Sequence, residues 1–327
     1  MKAIVCEKFA PVDALSLAEF PAPVAGPGEV VIDVAAAGVN YPDVLIVQGK
    51  YQTKPEVPFV PGSEASGRIR SLGEGVTGLA VGDRVAAFTG AGAFAQQVKV
   101  KASQVYRLPD AMDLETAAGI LITYGTSYHA LKDRAALRPG ETLLVLGASG
   151  GVGLTAVELG KRMGARVIAA ASSPEKLALA RAQGADELID YASEDLRERV
   201  KALTDGRGVD VVYDPVGGPM SITAVKGLAW GGRHLVVGFA GGDIPAIPAN
   251  LLLLKSAASL GVLWGMSLRA DPDHHAANIS QLLEWMAAGA LRPAIDARMP
   301  LSDAVAALAH VEGRQAKGKV LLTVGEL

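Results

Sequence analysis

From Thr142 onward, short continuous apolar runs alternate with segments of helical composition. The runs Thr142–Leu146, Arg166–Ala171, Glu187–Ile189, Val209–Tyr213 and His234–Gly238 read as strands. The helical segments between them are Gly153–Met163, Pro174–Gln183, Glu194–Thr204 and Met220–Leu228. Continuous Val, Ile and Leu, without polar alternation, predict strands covered by helices on both faces. The alternation of units predicts an α/β doubly wound parallel sheet. Two more strands are expected at Leu251–Lys255 and Ser259–Leu263, then a helix from Asp273 to about Gly289.

Residues 1 to about 110 have a different texture. Lys2–Cys6, Glu29–Ala36, Gly67–Leu72, Arg84–Phe88 and Phe94–Val100 are short β-type runs, punctuated by turns such as Gly26-Pro27-Gly28 and Gly73-Glu74-Gly75. This spacing predicts a small, partly closed β-structure. Leu114 to Leu131 reads as helix, and Pro139-Gly140 as a turn. Arg292–Asp296 and Lys319–Val324 are strand-like and would rejoin the first domain. The expected division is therefore 1–114 for the β-rich domain, 115–265 for an inserted nucleotide-binding domain, and 266–327 for the return.

The first strand-to-helix junction of the inserted domain carries Gly147-Ala-Ser-Gly150-Gly151-Val152-Gly153. Glycines let the backbone turn sharply and approach a dinucleotide pyrophosphate, and the helix N-terminus offers N–H groups and a positive dipole end. The spacing departs from strict G-x-G-x-x-G by one residue, which leaves a plain turn as the alternative. The end of the next strand bears on which nucleotide binds. NAD-selecting folds place a carboxylate there for the ribose 2′-OH. Here Ala171 is followed by Ser172, Ser173 and, past Pro174-Glu175, Lys176. Hydroxyls and an ammonium accept a 2′-phosphate that a carboxylate would repel, which predicts NADPH. Capping of the following helix is a compatible second role for the serines. Tyr191 either stacks on the adenine or is an ordinary turn residue.

Composition narrows the classes. Net charge is −3, and no Lys/Arg block points to nucleic acid. Cys6 is the single cysteine, so an intrachain disulfide or a four-cysteine zinc site is excluded. The first residues lack a leader-like apolar stretch, and no run reaches about 18 apolar residues. A soluble cytoplasmic protein without a membrane partner is expected.

Several segments carry a family likeness: Gly38-Val-Asn40-Tyr-Pro-Asp43, Val60-Pro-Gly62-Ser-Glu64-Ala-Ser-Gly67 and Thr123-Tyr124-Gly125-Thr126-Ser-Tyr128-His129-Ala-Leu131. The glycine turn, Asp214-Pro-Val-Gly-Gly218 and Gly318-Lys-Val-Leu-Leu322 continue it. Over its full length the chain resembles the medium-chain dehydrogenase/reductase superfamily, in its zinc-free quinone oxidoreductase (zeta-crystallin-like) branch. The resemblance implies a GroES-like catalytic domain plus a Rossmann domain, NADPH-dependent two-electron reduction, and a homodimer or homotetramer.

Zinc members of the superfamily have Cys where Asn40 stands and His where Ser63 stands. Neither Asn40 nor Ser63 is an adequate replacement. The five histidines are His129, His234, His274, His275 and His310, and none forms H-x-x-x-H or pairs with the cysteine. No metal is expected. Without a Lewis acid, alcohol oxidation loses its route to an alkoxide, whereas an electron-poor quinone or enone still accepts hydride.

By resemblance, Asn40, Asp43 and Tyr51 face the nicotinamide. Asn40 would donate to a substrate carbonyl, Asp43 would orient neighbours, and Tyr51 would supply a proton if an enolate forms. Thr126 would sit behind the nicotinamide. The remaining cofactor positions are Gly150, Gly151, Val152, Ser172, Ser173, Lys176 and Tyr191, then Phe239, Ala240, Leu263, Trp264, Gly265 and Arg314. Leu45 stands where some relatives carry tyrosine, so no particular quinone follows from the likeness. The expected activity is quinone reduction with NADPH. Reduction of enones or enoyl thioesters is the close alternative, and a structural or regulatory NADPH-binding protein is the alternative of another class.

Overall fold

Burial of alternate and small residues shapes the first part of the chain. In the computed structural model, which describes residues 1–325, β1 (Lys2–Val5) pairs with β2 (Ser16–Glu19). The long β3 (Glu29–Val39) leads into α1 (Tyr41–Val47). Next come β4 (Glu64–Leu72), β5 (Arg84–Phe88), β6 (Gln97–Lys101), β7 (Val105–Arg107) and the single turn α2 (Leu114–Ala117).

After α3 (Leu121–Tyr128), strands and helices alternate. They run β8 (Thr142–Leu146), α4 (Gly151–Arg162), β9 (Arg166–Ala171), α5 (Pro174–Ala182), β10 (Glu187–Asp190) and α6 (Leu196–Leu203). Then follow β11 (Val209–Asp214), α7 (Gly218–Lys226), β12 (Leu228–Val236), α8 (Ala249–Leu253), β13 (Ala258–Gly261) and α9 (Trp264–Ala270). The chain ends its described course with α10 (Pro272–Ala287), β14 (Ile295–Pro300), α11 (Ala304–Glu312) and β15 (Lys319–Thr323).

These elements form two units, Met1–Ile122 with Leu268–Leu327, and Thr123–Ser267. The first unit holds a seven-stranded sheet in the order β14-β15-β3-β4-β5-β7, with β6 also pairing with β3. Apart from the parallel pair β14–β15, neighbours run antiparallel. The second unit holds a six-stranded parallel sheet in the order β10-β9-β8-β11-β12-β13. Strand order reverses between β8 and β11, the place where doubly wound sheets open a ligand crevice.

Three expectations change. Leu251–Lys255 is not a strand: α8 covers Leu251–Leu253, and Leu253 and Leu254 are 78% and 70% exposed. Four leucines in a row have no period that separates strand from helix, and here no neighbouring strand pairs with them. The helix expected over Leu114–Leu131 is broken into α2, α3 and a π-helical turn at His129–Arg134. Residues 115–122 go with the first unit, because α2 packs on β3 and β4 and the Ile122 N–H bonds Glu64 Oε2 at 3.0 Å.

Leu144 is fully buried in β8 among Leu146, Ile168 and Val212. Leu144→Ala is expected to destabilise the parallel-sheet unit by about 2–5 kcal/mol. Urea denaturation followed by circular dichroism measures this, and an unchanged midpoint would contradict the assignment of this core.

Candidate active site

In the parallel-sheet unit, β8 delivers the chain to a tight turn built on glycines. Gly147 adopts φ +57°. A Cβ on Gly153 would lie 2.2 Å from the Gly147 carbonyl oxygen, so no side chain fits there. Gly150 precedes α4, and no side chain caps that helix end. First-turn N–H groups lack intrahelical partners, so this end is a bare cradle suited to a phosphate. Gly150, Gly151 and Val152 therefore stand together at the switch point.

The end of the neighbouring strand β9 carries the next group. Ser173 Oγ accepts the Lys176 N–H at 3.3 Å and caps α5. Lys176 Nζ lies 3.4 Å from Ser172 Oγ, so the ammonium folds back over the strand end. Tyr191 follows β10 and donates its N–H to Ala171 O at 3.1 Å, which puts it beside the same strand end. A hydroxyl and an ammonium meet there with a tyrosine alongside.

Phe239 and Ala240 follow β12, and Ala240 N–H bonds Pro215 O at 3.0 Å. A Cβ on Gly125 would stand 2.5 Å from the Trp264 ring. That close fit brings Thr126 near the Leu263-Trp264-Gly265 segment. Arg314 belongs to the first unit, exposed and at φ +56° just past α11. His129 is buried and its Nδ1 lies 2.8 Å from Asp133 Oδ2, a local pairing within the π-helical turn.

In the first unit, the residues after β3 form a buried polar cluster. Gly38 makes the room for it: a Cβ there would lie 2.6 Å from Glu64 Oε1 and 2.8 Å from Lys319 Cε. Lys319 Nζ donates to Glu64 Oε1 and Asn40 Oδ1, both at 2.6 Å. Asn40 Nδ2 donates to Glu64 Oε1 at 3.0 Å and Gly38 O at 3.2 Å. Both amide hydrogens are thereby used inside the protein, which is a different task from the substrate-carbonyl donation expected of Asn40. Asp43 Oδ2 accepts the Asn40 N–H at 2.8 Å, and Oδ1 accepts the Ser63 hydroxyl at 2.5 Å.

Lys319 and Ser63 were not among the expected site residues. The signal for Lys319 was a lysine opening the apolar strand run Val320-Leu-Leu322. These donors do not suit a zinc ion. Nitrogen and sulfur ligands are missing, Ser63 is turned to Asp43, and the oxygens of Asn40 and Glu64 already hold an ammonium.

Burial pushes the Asp43 carboxyl up to about 6, against the pull of the Ser63 hydroxyl and the Asn40 N–H on its charged form. Burial, helped by the Asp43 charge, also holds the Tyr51 phenol above its usual range.

The two units match different family models. Residues 26–110 match the alcohol dehydrogenase GroES-like domain, and residues 151–288 match zinc-binding dehydrogenase. The chain is 39% identical to quinone oxidoreductase-like protein 2 homolog of Nematostella vectensis, over 91% of this chain and 82% of that one. A mycobacterial protein solved in complex with NADPH superposes with a TM-score of 0.93 at 32% identity, covering 99% of this chain and 100% of that one. The Escherichia coli quinone oxidoreductase complexed with NADPH superposes with a TM-score of 0.92 at 28% identity, covering 99% and 100%.

The raised Asp43 pKa makes a signed prediction. The native state holds this proton more tightly than the unfolded chain does. The associated stability is fully present below the ordinary value of 3.8 and is lost as pH rises through about 6. Asp43→Asn removes this dependence. Between pH 4 and pH 7 the wild type should lose about 2–3 kcal/mol relative to the variant. Urea titrations at the two pH values test it, and parallel stability curves would show that Asp43 does not titrate there.

Proposed function

Because the chain belongs to the medium-chain dehydrogenase/reductase superfamily, among its quinone oxidoreductase-like members, we propose that it reduces a quinone with NADPH and without zinc, as a cytoplasmic homodimer. Bound NADPH supplies the hydride. The observation that carries the zinc-free reading is the Lys319 ammonium on Glu64 and Asn40, each at 2.6 Å. A positive charge belonging to the chain occupies the oxygens a divalent ion would need. Chemistry that depends on a metal-activated alkoxide is then disfavoured, and an acceptor reactive in itself is favoured.

Several of the expected cofactor positions have their own support. The cradle at Gly150, Gly151 and Val152 suits the pyrophosphate. Ser172, Ser173 and Lys176 suit a 2′-phosphate, and no carboxylate opposes it at Ser172-Ser173. Tyr191 suits the adenine, and Thr126 with Trp264 suits the nicotinamide side. Asp43 serves by orienting Asn40 and Ser63. Tyr51 bears on the acceptor: a phenol held above its usual range is a weak acid, and a reduced quinone can take its protons from water. This favours a quinone over an enone, whose enolate needs a nearby acid. The dimer is supported by β13 at the edge of its sheet and by the exposed Leu253, Leu254, Leu263 and Met266. Among the described residues no helix is long and apolar enough to cross a membrane.

With NADPH as donor, small quinones are expected to turn over at least about tenfold faster than enones or enoyl thioesters, with no loss after dialysis against a zinc chelator. Faster reduction of an enoyl thioester would replace the quinone reading, and loss of activity with the chelator would end the zinc-free one. Lys176→Ala should weaken NADPH binding by about five- to tenfold, leaving NADH binding unchanged. Titration with each nucleotide measures this, and equal losses for both would remove Lys176 from the 2′-phosphate.

A further inference from the structure

A buried hydrogen-bond relay lies behind the switch point. Asp214 closes β11 and is 2% exposed. Its Oδ1 accepts the N–H groups of Val216 at 2.9 Å and Gly217 at 3.0 Å. Its Oδ2 accepts the Ser221 hydroxyl and His234 Nε2, the latter at 2.9 Å. A carboxylate only accepts, so Nε2 carries a proton. His234 is fully buried on β12, and its Nδ1 lies 3.0 Å from Ser259 Oγ on β13. The relay thus runs from the edge strand, through β12, to the end of β11. Burial raises the Asp214 carboxyl, but the contacts from His234, Ser221 and the Gly217 N–H outweigh it and hold the group below its usual range.

What the relay holds is the turn after Asp214. A Cβ on Gly147 would stand 3.0 Å from Val216 Cγ2, so this turn packs directly against the glycine cradle. A Cβ on Gly217 would stand 3.0 Å from Phe239 Cδ1. The carbonyls of Pro215 and Val216 accept the N–H groups of Ala240 and Gly241 at 3.0 and 2.6 Å. One carboxylate therefore fixes a turn that touches both the cradle and the Phe239-Ala240 segment.

We propose that His234 and Asp214 are a positioning pair for the dinucleotide, setting the spacing between the glycine cradle and the Phe239-Ala240 segment. The proposal rests on the reading of that cradle as the NADPH site. Both residues are shielded from solvent, so they act through the turn. Loss of the Nε2–H leaves a buried carboxylate oxygen short of a charge-assisted bond, and the turn relaxes to compensate.

The test measures NADPH affinity by fluorescence titration, and the KM for NADPH and for the acceptor, in the wild type, His234→Leu, His234→Gln and Ser259→Ala. Near-UV circular dichroism reports folding. His234→Leu is expected to raise the NADPH Kd and KM by about tenfold, with the acceptor KM unchanged. Gln offers an N–H to the same carboxylate, and His234→Gln should return both to within about threefold of wild type. Wild-type affinity in His234→Leu overturns the proposal, as does a loss that Gln does not restore. If His234→Leu does not fold, Ser259→Ala decides: it removes only the outer link, so weakened NADPH binding supports the relay and unchanged binding overturns it. A wild-type chain that fails to bind NADPH would instead overturn the reading of the cradle.

Discussion

An ammonium buried against a carboxylate governs the first unit. Lys319 and Glu64 are only 6% and 1% exposed at their side chains. Neither charge is tolerable there without the other, and breaking such a pair costs about 3–5 kcal/mol. The pair draws β15 and β4 to the end of β3, where Gly38 leaves the space. It takes up the Asn40 side chain, which starts α1 and so places Asp43. Glu64 also collects the Ile122 N–H, which fixes the point where the chain leaves the unit. The polar geometry around Asn40 and Asp43 is therefore a consequence of where one positive charge is stored.

The second unit is organised differently, with no buried ammonium–carboxylate pair among its described residues. Its inner strands β8 and β9 are buried along almost their whole length, and β12 contributes His234 to the relay with Asp214. Chemistry gathers where the strands end, at Gly150, at Ser172 and Lys176, and at Asp214. There backbone N–H groups, hydroxyls and one half-exposed ammonium stand close together. Close approach is set by missing side chains, as at Gly153 and Gly125, where van der Waals contact leaves room for nothing else.

Much of this was legible in the sequence. Continuous apolar runs separated by helical segments mark a two-sided sheet, because only such a sheet buries both faces of a strand. The glycine turn and the Ser172-Ser173-Lys176 group are local, so their proximity is readable from adjacent residues. What escaped reading depends on contacts between distant residues. Lys319 looks like a charge at a strand start until Glu64 is seen opposite it. His234 is one of five histidines until β11 and β12 bring it to Asp214. The Leu251–Leu254 run has the same composition whether it becomes a covered strand or an exposed helix.

The order in which these parts are made also matters. Lys319 follows Glu64 by 255 positions, and β15 lies between β14 and β3 inside the sheet, not at its rim. During synthesis the parallel-sheet unit can complete its own contacts while the first unit still waits for the strand that fills its gap. Through that interval Glu64 has no counter-ion and the Ala36–Val39 end of β3 lacks its partner, since β6 covers only Glu29–Asp33; that stretch is an open edge of the kind that recruits strands from other chains. A single late-arriving strand thus closes the sheet and neutralises its interior in one step, and a ribosome that stalls before it leaves a nascent chain both charged within and adhesive along one side.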